Sequence, residues 1–495
     1  MHFHSFNYIF IFLPVVLILY YLNKKSFNRN IILIIASYTF YAWGNPYLAL
    51  MLLSSSIVDF FIGKKIHEHN VNLQLPNENI ITKKINQKRK LLLIFSIAFN
   101  IGLLAFFKYW DWLTEVFLIS IGGHVILDLR PFKHHIDVPP GISFYTFQTL
   151  SYTIDIYRRQ FSPKGGFFNY LTFVAFFPQL IAGPIERAKD LLPQLVKFRK
   201  RVSSKVAESA CFLISWGLFK KVVFADNLGH LVERCQENIE HPGVGLILVI
   251  AFAFQIYCDF SAYSDIARGT ARLFGVRLKR NFLTPYFAIN PSDFWKRWHI
   301  SLSSWVRDYV YIPFGGNRCS KSRNITNLLL TMFIMGLWHG AGVFFVLWGI
   351  YHGLLLILYR ILPIDKYLFK KLGNLWGRVS STFIMFSFIL FSWLLFWSKG
   401  IADFVQTLQS ASEIGYFITD LSKISTVLYE LSFGLTLFIL PIIITEIIGF
   451  RYKREFVDIY KFFGTNTKII LYLLMFYIMI FFGSRGSYDF IYFQF

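Results

Sequence analysis

Apolar runs, each about as long as a membrane-crossing helix, recur along this chain and constrain its fold more than any other feature. Hydrophobic residues make up 55% of its 495 residues and the mean hydropathy is +0.48, which excludes an ordinary soluble domain. Because lipid offers no hydrogen bonds to the backbone, such runs cross as helices. The sequence predicts an all-α polytopic membrane protein with about twelve membrane-spanning helices. The runs lie near residues 7–22, 31–44, 47–62, 91–110, 141–157, 208–228, 243–262, 326–341, 342–360, 380–398, 431–449 and 469–484.

The positive charge of the chain is concentrated in alternate segments between these runs. The net charge is +22, and most of the 50 lysines and arginines lie in residues 23–30, 63–90, 157–207, 268–323, 360–378 and 451–468. Cytosolic loops of membrane proteins carry such an excess, so the asymmetry requires a lipid bilayer and no nucleic acid. It predicts that both termini lie outside. The first run lacks a preceding basic region, which favours a retained anchor over a cleaved signal peptide.

Two stretches are broken or too charged to cross as simple helices. Residues 167–195 contain Pro178 and Gly183-Pro184, and we interpret them as a re-entrant hairpin returning to the cytosolic side. Residues 280–316 place Trp295, Trp298 and Trp305 at helical spacing among cations. Such a helix either lies at the membrane interface or plugs the inner mouth of a cavity.

Two histidines lie in or beside the apolar core. His339 sits in the run 328–353, where two predicted spans meet. An imidazole is costly there, so it either takes part in chemistry or is hydrogen-bonded between packed helices. His299 lies in the charged stretch on the predicted inner side. One histidine near each end of a shared passage suits a reaction that moves a group from the cytosol to the outside.

Motifs of metal sites and of soluble hydrolases are missing. The four cysteines show no CxxC spacing, so we predict neither disulfides nor a bound metal, and there is no HExxH, GxSxG or phosphate-binding glycine loop. The residues alone leave open a transporter or flippase without chemistry, whose coupling carboxylates would be Asp59, Asp155 or Asp259. A membrane scaffold for a cell-wall assembly complex is a further alternative.

Five ordered motifs resemble those of the membrane-bound O-acyltransferase (MBOAT) family. They occupy residues 141–158, 176–195, 258–276, 285–318 and 335–353. The resemblance covers nearly the whole chain and is strongest to the bacterial branch that acetylates alginate and peptidoglycan. It implies a single transmembrane domain over 1–495, with N-terminal helices (1–140), a motif-bearing catalytic core (141–360) and C-terminal helices (361–495) ending in an outward tail.

The resemblance also implies a chemistry. The expected fold has re-entrant segments and a funnel on each face, joined by a tunnel. His339 matches the family's catalytic histidine, and His299 matches its second, inner histidine, which we expect to shape or gate the thiol side. The implied enzyme passes an acetyl group to an outward acceptor for O-acetylation of an envelope or exported polysaccharide. The donor is acetyl-CoA or another cytosolic acyl thioester, which is a substrate and not a cofactor. The expected partner is a periplasmic SGNH-type acetyltransferase, and the expected location is the bacterial cytoplasmic (inner) membrane.

Side chains beside His299 are candidates for binding the donor. Lys296, Arg297 and Arg307 are suited to the phosphates of coenzyme A, and Trp298 lies next to them in sequence. Contact with lipid headgroups is the alternative for the cations.

The C-terminal residues 487–495 read SYDFIYFQF. They resemble the tyrosine-bearing ending of the small partner protein that serves the D-alanylating members of the family. We therefore predict that Tyr492 enters the outer funnel, accepts the acetyl group and hands it to the periplasmic partner. An aromatic anchor at the membrane interface is the alternative.

Overall fold

The computed structural model describes residues 3–43, 45–72, 79–120, 138–163, 165–197, 199, 201–415, 426–484 and 490–491. These ranges form helices joined by turns, with no strand among them, which confirms the predicted all-α class. Residues Lys220–Ala225 form a π-helical stretch. The helices are α1 (Asn7–Leu22), α2 (Ser26–Ala42), α3 (Pro46–Asn72), α4 (Asn79–Ser120), α5 (Ile142–Tyr157), α6 (Phe167–Ala175), α7 (Phe177–Leu180), α8 (Ala188–Val196), α9 (Ser204–Phe219), α10 (Asp226–Glu237), α11 (Val244–Leu273), α12 (Pro291–Trp295), α13 (Ile300–Val306), α14 (Lys321–His339), α15 (Val343–Ile361), α16 (Ile364–Trp397), α17 (Ile401–Ser412), α18 (Thr426–Tyr452), α19 (Phe456–Tyr460) and α20 (Thr465–Phe482).

Seven helices in the described ranges are long and apolar enough to cross a membrane, namely α3, α4, α11, α15, α16, α18 and α20. The chain is therefore a multi-pass membrane protein. The predicted count of about twelve spans is not confirmed. The other predicted runs also fold as helices, but α1, α2, α5 and α9 are each shorter than 18 residues, and α14, with 19, begins in a polar segment. The funnels, the tunnel and the division at residues 140 and 360 remain predictions.

The chain forms two compact units, and the first comprises Met1–Cys211 with Ile266–Lys279. Helices α2, α3, α5 and α6 pack on one another in it. A buried polar network joins α3 to α4, because Asp59 accepts hydrogen bonds from the Ser96 hydroxyl at 2.6 Å and the Asn100 amide at 2.7 Å. In a membrane the hydrophobic effect does not drive helices together, because lipid tails are as apolar as the side chains. Hydrogen bonds between helices of this kind stabilise their association instead.

The stretch 167–195 is broken twice, as its sequence predicts. Helix α6 ends where Phe176 adopts ψ 102°, and Pro178 lies in the first turn of α7. Residues 181–187 around Gly183 are not helical. Most of these residues are buried, which satisfies the requirement that non-helical backbone at membrane depth be enclosed by protein. Its return to the cytosolic side remains a prediction.

The second unit comprises Phe212–Asp265 with Arg280–Phe495, and the hairpin of α14 and α15 is its most closely packed pair. Gly336 and Gly349 face each other in the hairpin. A Cβ atom on Gly336 would lie 3.1 Å from the Gly349 Cα and would overlap the Phe345 carbonyl oxygen. A Cβ atom on Gly349 would overlap the Met332 carbonyl oxygen in the same way. The two backbones are in direct contact, as small residues permit in membrane helices.

The predicted single helical face of Trp295, Trp298 and Trp305 is wrong. Helix α12 ends at Trp295, and His299 adopts φ 41°, so α13 begins at Ile300 as a separate helix. Spacing alone could not reveal this break because the segment lacks an internal proline or glycine at that point. Trp298 is 1% exposed and Trp305 5%, so both indoles pack inside the protein instead of lying on an interface.

Replacement of Gly336 or Gly349 by alanine is expected to force α14 and α15 apart. Overpacking of this kind costs about 1–3 kcal/mol, so each variant should melt at a lower temperature in detergent. Gly342→Ala is the matched control, since its Cβ would meet only Phe345 ring atoms, the nearest at 3.5 Å. Equal melting temperatures for all three variants would contradict the backbone contact.

Candidate active site

His339 is the last residue of α14, at the turn into α15. The backbone leaves the helix at once, because Gly340 is extended with φ −165° and ψ 160°. The imidazole is 4% exposed. Its ring centroid lies 4.7 Å from that of Trp338, 4.7 Å from Trp348 and 5.3 Å from Phe396. Three aromatic rings therefore surround the side chain that the sequence singles out.

His299 is fully buried in the turn between α12 and α13. Its φ of 41° and ψ of 54° are left-handed, a conformation that costs a non-glycine residue roughly 1–2 kcal/mol. Asn281 stabilises the turn on its far side. The Asn281 carbonyl oxygen accepts from the Ile300 amide at 2.9 Å, and its Oδ1 accepts from the Ser301 hydroxyl at 2.6 Å. Strain of this kind concentrates at functional sites.

Burial sets the charge of the His299 ring. Removal from water lowers the pKa of His299 from its ordinary value of about 6.5 to about 3. The ring is therefore neutral near pH 7, with one donor and one acceptor nitrogen. The Phe260 ring meets it edge-to-face at 4.6 Å. A neutral ring in such a place can orient a polar group but attracts no anion by charge.

One indole connects the two histidines. The Trp338 ring lies 4.7 Å from His339 and 6.1 Å from His299. The structure thus brings both predicted histidines into one aromatic cluster, although they lie 40 residues apart in the sequence. Two imidazoles that share contact with a single ring are close enough together to act on one small reacting group.

Trp298, a candidate donor-binding residue, is part of the aromatic core. Its ring contacts Trp393 at 4.9 Å, Phe282 at 5.0 Å and Phe294 at 5.8 Å. A side chain enclosed in this way supports the turn that carries His299. Any contact with a donor would require these rings to move apart.

The candidate cations differ in how far they are already engaged. The Arg297 Nε pairs with Asp293 at 2.8 Å, and its Nη1 donates to the Thr284 hydroxyl at 3.0 Å. The Arg307 Nε pairs with Asp308 at 2.7 Å and is largely exposed. Lys296 is also exposed. Lys296 and Arg307 are therefore accessible to an anion, whereas Arg297 mainly fixes the segment.

The sequence interpretation missed His352, which lies beyond Trp348 from His339. It is 1% exposed, and its ring contacts Trp348 at 4.7 Å and Trp295 at 5.1 Å. No group in the described part of the chain hydrogen-bonds to either ring nitrogen. The argument applied to His339, that an ionisable ring within an apolar run marks a site, would have found it in the same run.

Two adjacent lysines form a second feature that the sequence interpretation left unused. Lys220 and Lys221 are buried and pair with carboxylates of α11, including Asp259. The predicted acyl carrier Tyr492 lies outside the described residues, although its neighbours Phe490 and Ile491 are described. No cluster of three or more histidine, cysteine or acidic side chains suited to a metal ion occurs in the described ranges.

Comparisons with known proteins agree with the motifs. The profile described as MBOAT, membrane-bound O-acyltransferase family, matches residues 158–397, which include both histidines. The chain is 39% identical to the probable alginate O-acetylase AlgI of Pseudomonas aeruginosa, over 74% of this chain and 67% of that protein. It is 32% identical to the peptidoglycan O-acetyltransferase of Helicobacter pylori, over 84% and 81%. It is 28% identical to the teichoic acid D-alanyltransferase of Bacillus subtilis, over 54% and 72%.

Acid should destabilise this protein through His299. The unfolded chain binds a proton on this ring below about pH 6.5, whereas the folded chain does so only near pH 3. Between these values the unfolded state binds more protons, so stability rises with pH and is fully present above about pH 6.5. We expect the melting temperature to fall more between pH 7 and pH 5 in the native protein than in His299→Gln. Parallel pH profiles of the two proteins would contradict the buried neutral ring.

Proposed function

This chain belongs to the membrane-bound O-acyltransferase family, and we propose that it transfers an acetyl group from a cytosolic thioester to a hydroxyl group on the outer side of the membrane. The observation that carries the proposal is that His299 and His339 both contact the Trp338 ring. Both rings are buried, and both lie in the part of the chain that matches the family profile.

The proposed chemistry assigns the proton transfers to His339. The hydroxyl oxygen attacks the thioester carbonyl carbon while His339 takes its proton as general base. Collapse of the tetrahedral intermediate breaks the carbon–sulfur bond, and the protonated imidazole returns the proton to the departing thiolate. The products are an ester and a free thiol. The surrounding indoles exclude water, which would otherwise compete as the acceptor.

His299 is proposed to shape or gate the thiol side of the reaction. Its ring is neutral and fully enclosed, and its strained turn holds it against Phe260 and Trp338. A rigid neutral ring favours orientation of the donor over nucleophilic attack. Lys296 and Arg307, the more accessible cations nearby in sequence, are proposed to contact the donor's phosphates.

Acetyl is the proposed acyl group, and acetyl-CoA the proposed donor. The relatives named as O-acetylases are 39% and 32% identical over most of this chain, whereas the D-alanyltransferase of Bacillus subtilis is 28% identical over 54% of it. Alginate and peptidoglycan are polymers outside the cytosol. We therefore infer an envelope or exported polysaccharide as final acceptor, an SGNH-type partner acetyltransferase, an inner-membrane location and termini on the outer side.

Two of the three candidate coupling carboxylates, Asp59 and Asp259, favour this chemistry over transport. Coupling carboxylates of a transporter must exchange a proton or ion during the cycle. Asp59 is already hydrogen-bonded to Ser96 and Asn100, and Asp259 is paired with Lys221. Their engagement suits a structural role.

The proposed reaction includes a relay through the C-terminal tail. The Tyr492 hydroxyl would attack the thioester, release the thiol and carry the acetyl ester to the partner's hydroxyl. Support comes from the described neighbours of this residue. Phe490 is buried, and its ring lies 5.6 Å from Phe260, which contacts His299.

Substitution of His339→Gln should remove acetyl transfer and leave the fold intact. Loss of a general base lowers rates by about a hundredfold or more. The measurement is ester-linked acetate on the envelope, with His230→Gln, an exposed histidine of α10, as control. Normal acetylation by a folded His339→Gln protein would reject the proposed enzyme and favour a transporter or scaffold.

The relay predicts acetylated Tyr492 during turnover. Mass spectrometry of the C-terminal peptide should detect the acetyl group in the native protein, and neither Tyr492→Phe nor His339→Gln should carry it. Tyr477→Phe, which alters an exposed tyrosine of α20, should retain it. A native tail that stays unmodified while the acceptor is acetylated would exclude the relay and leave direct transfer.

A further inference from the structure

Lys221 shares one ammonium group between two buried carboxylates. Its Nζ lies 2.8 Å from Asp259 Oδ1 and 2.9 Å from Asp226 Oδ1. All three side chains are at most 6% exposed. Charges buried within a membrane protein are tolerated when they are paired. Two ionised carboxylates and one ammonium leave this triad with a net charge of −1.

The neighbouring lysine forms a balanced pair with the same helix. Lys220 Nζ donates to Asp265 Oδ2 at 2.9 Å and to the Ser261 hydroxyl at 2.7 Å. One ammonium meets one carboxylate, so this pair is neutral. The neutral pair of Lys220 can therefore serve as a control for the negatively charged triad of Lys221.

The C-terminal segment, Phe490 and Ile491, binds to the carboxylate oxygen of Asp259 that Lys221 does not contact. The Ile491 amide donates to Asp259 Oδ2 at 2.7 Å. Phe490 and Ile491 are each 3% exposed. The Phe490 ring packs 4.8 Å from Tyr263 and 5.6 Å from Phe260. A backbone amide and one aromatic ring thus attach the segment to one face of α11.

The attachment point adjoins the candidate active site. Phe260 follows Asp259 directly, and its ring lies between Phe490 and His299, 5.6 Å from the first and 4.6 Å from the second. When Ile491 is bound to Asp259, Phe490 and His299 therefore contact the same phenyl ring, that of Phe260.

We infer that Asp259 is a positioning residue that seats the C-terminal segment beside His299. Its Oδ1 stays paired with Lys221 and its Oδ2 holds the tail amide, so the carboxylate fixes the tail through the backbone, whatever side chain stands at residue 491. The segment can also leave without exposing an unpaired charge, because both ion pairs of Lys221 stay in place when the amide of residue 491 departs. Its consequence for transfer rests on the proposed relay, whereas the seating itself does not.

Chemical accessibility of the tail tests the seat directly. Ile491→Cys keeps the backbone amide, and thiol labelling of the purified full-length protein in detergent can be followed by mass spectrometry of the C-terminal peptide. Asp259→Leu removes both acceptor oxygens. We expect it to raise the labelling rate of the introduced thiol about tenfold or more, since a hydrogen bond to a charged group contributes one or two powers of ten. Asp259→Asn keeps a neutral acceptor and should give an intermediate rate.

The control variant is Asp265→Leu in the same Ile491→Cys background. Asp259→Leu leaves Lys221 paired with Asp226, whereas Asp265→Leu removes the carboxylate that Lys220 contacts at 2.9 Å. The control is therefore the harsher change to the fold. It should nevertheless leave the labelling rate at the level of the Ile491→Cys parent.

Two results would overturn the seat. One is equal labelling of the parent and Asp259→Leu, with both proteins monodisperse on gel filtration. The other is equal acceleration by Asp265→Leu, which would indicate general loosening of α11. Acetyl transfer by the same proteins separates the seat from the relay. Faster labelling with lost transfer supports both, and faster labelling with full transfer supports the seat and rejects the Tyr492 relay.

Discussion

The contact between the backbones of Gly336 and Gly349 is the constraint on which the rest of the site depends. It joins α14 and α15 so closely that a single added methyl group on either glycine would overlap a carbonyl oxygen of the hairpin. One turn later α14 ends at His339, and the Trp348 ring reaches back from α15 to meet the imidazole at 4.7 Å. The position of the central histidine thus follows from two residues without side chains.

Polar groups in this protein are kept inside it by being paired or enclosed. Asp59 is held by a hydroxyl and an amide, Lys221 by two carboxylates, and the His299 turn by Asn281. Each arrangement offsets the cost of removing a polar group from water. The two histidines also lose contact with water, but their rings are enclosed by aromatic side chains where three of the sequence motifs meet. Ile491 joins this system through Asp259, so this described residue near the C-terminus is tied to the charges that pair with α11.

Periodicity and charge were enough to predict the class of fold, and they singled out a candidate site whose chemistry stays a prediction. Long apolar runs predicted the helices, Pro178 and Gly183 predicted the double break, and an imidazole in an apolar run identified His339. Tertiary geometry was not accessible in the same way. The left-handed turn at His299 carries no local signal, since it depends on hydrogen bonds to Asn281, which lies 18 residues earlier. Spacing therefore predicted one continuous helical face for Trp295, Trp298 and Trp305, which the turn interrupts.

Contacts distant in sequence account for the other omissions. The tail amide of Ile491 meets Asp259 across 232 residues, and His352 owes its surroundings to aromatic rings on several helices. Neither pattern can be derived from a window of sequence. The sequence does show that Asp259 and His352 are ionisable residues within apolar runs, which is unusual. Only the folded chain identifies their partners.

The central claim is that one buried site takes an acyl group from a thioester on one face of the membrane and delivers it on the other. The most direct measurement uses sealed vesicles containing the purified protein, with acetyl-labelled acetyl-CoA outside and an alcohol acceptor trapped in the lumen. We expect free thiol to appear outside as labelled ester appears inside, and both signals to vanish in His339→Gln. Label confined to the donor side, or an unchanged lumenal signal without His339, would contradict the account.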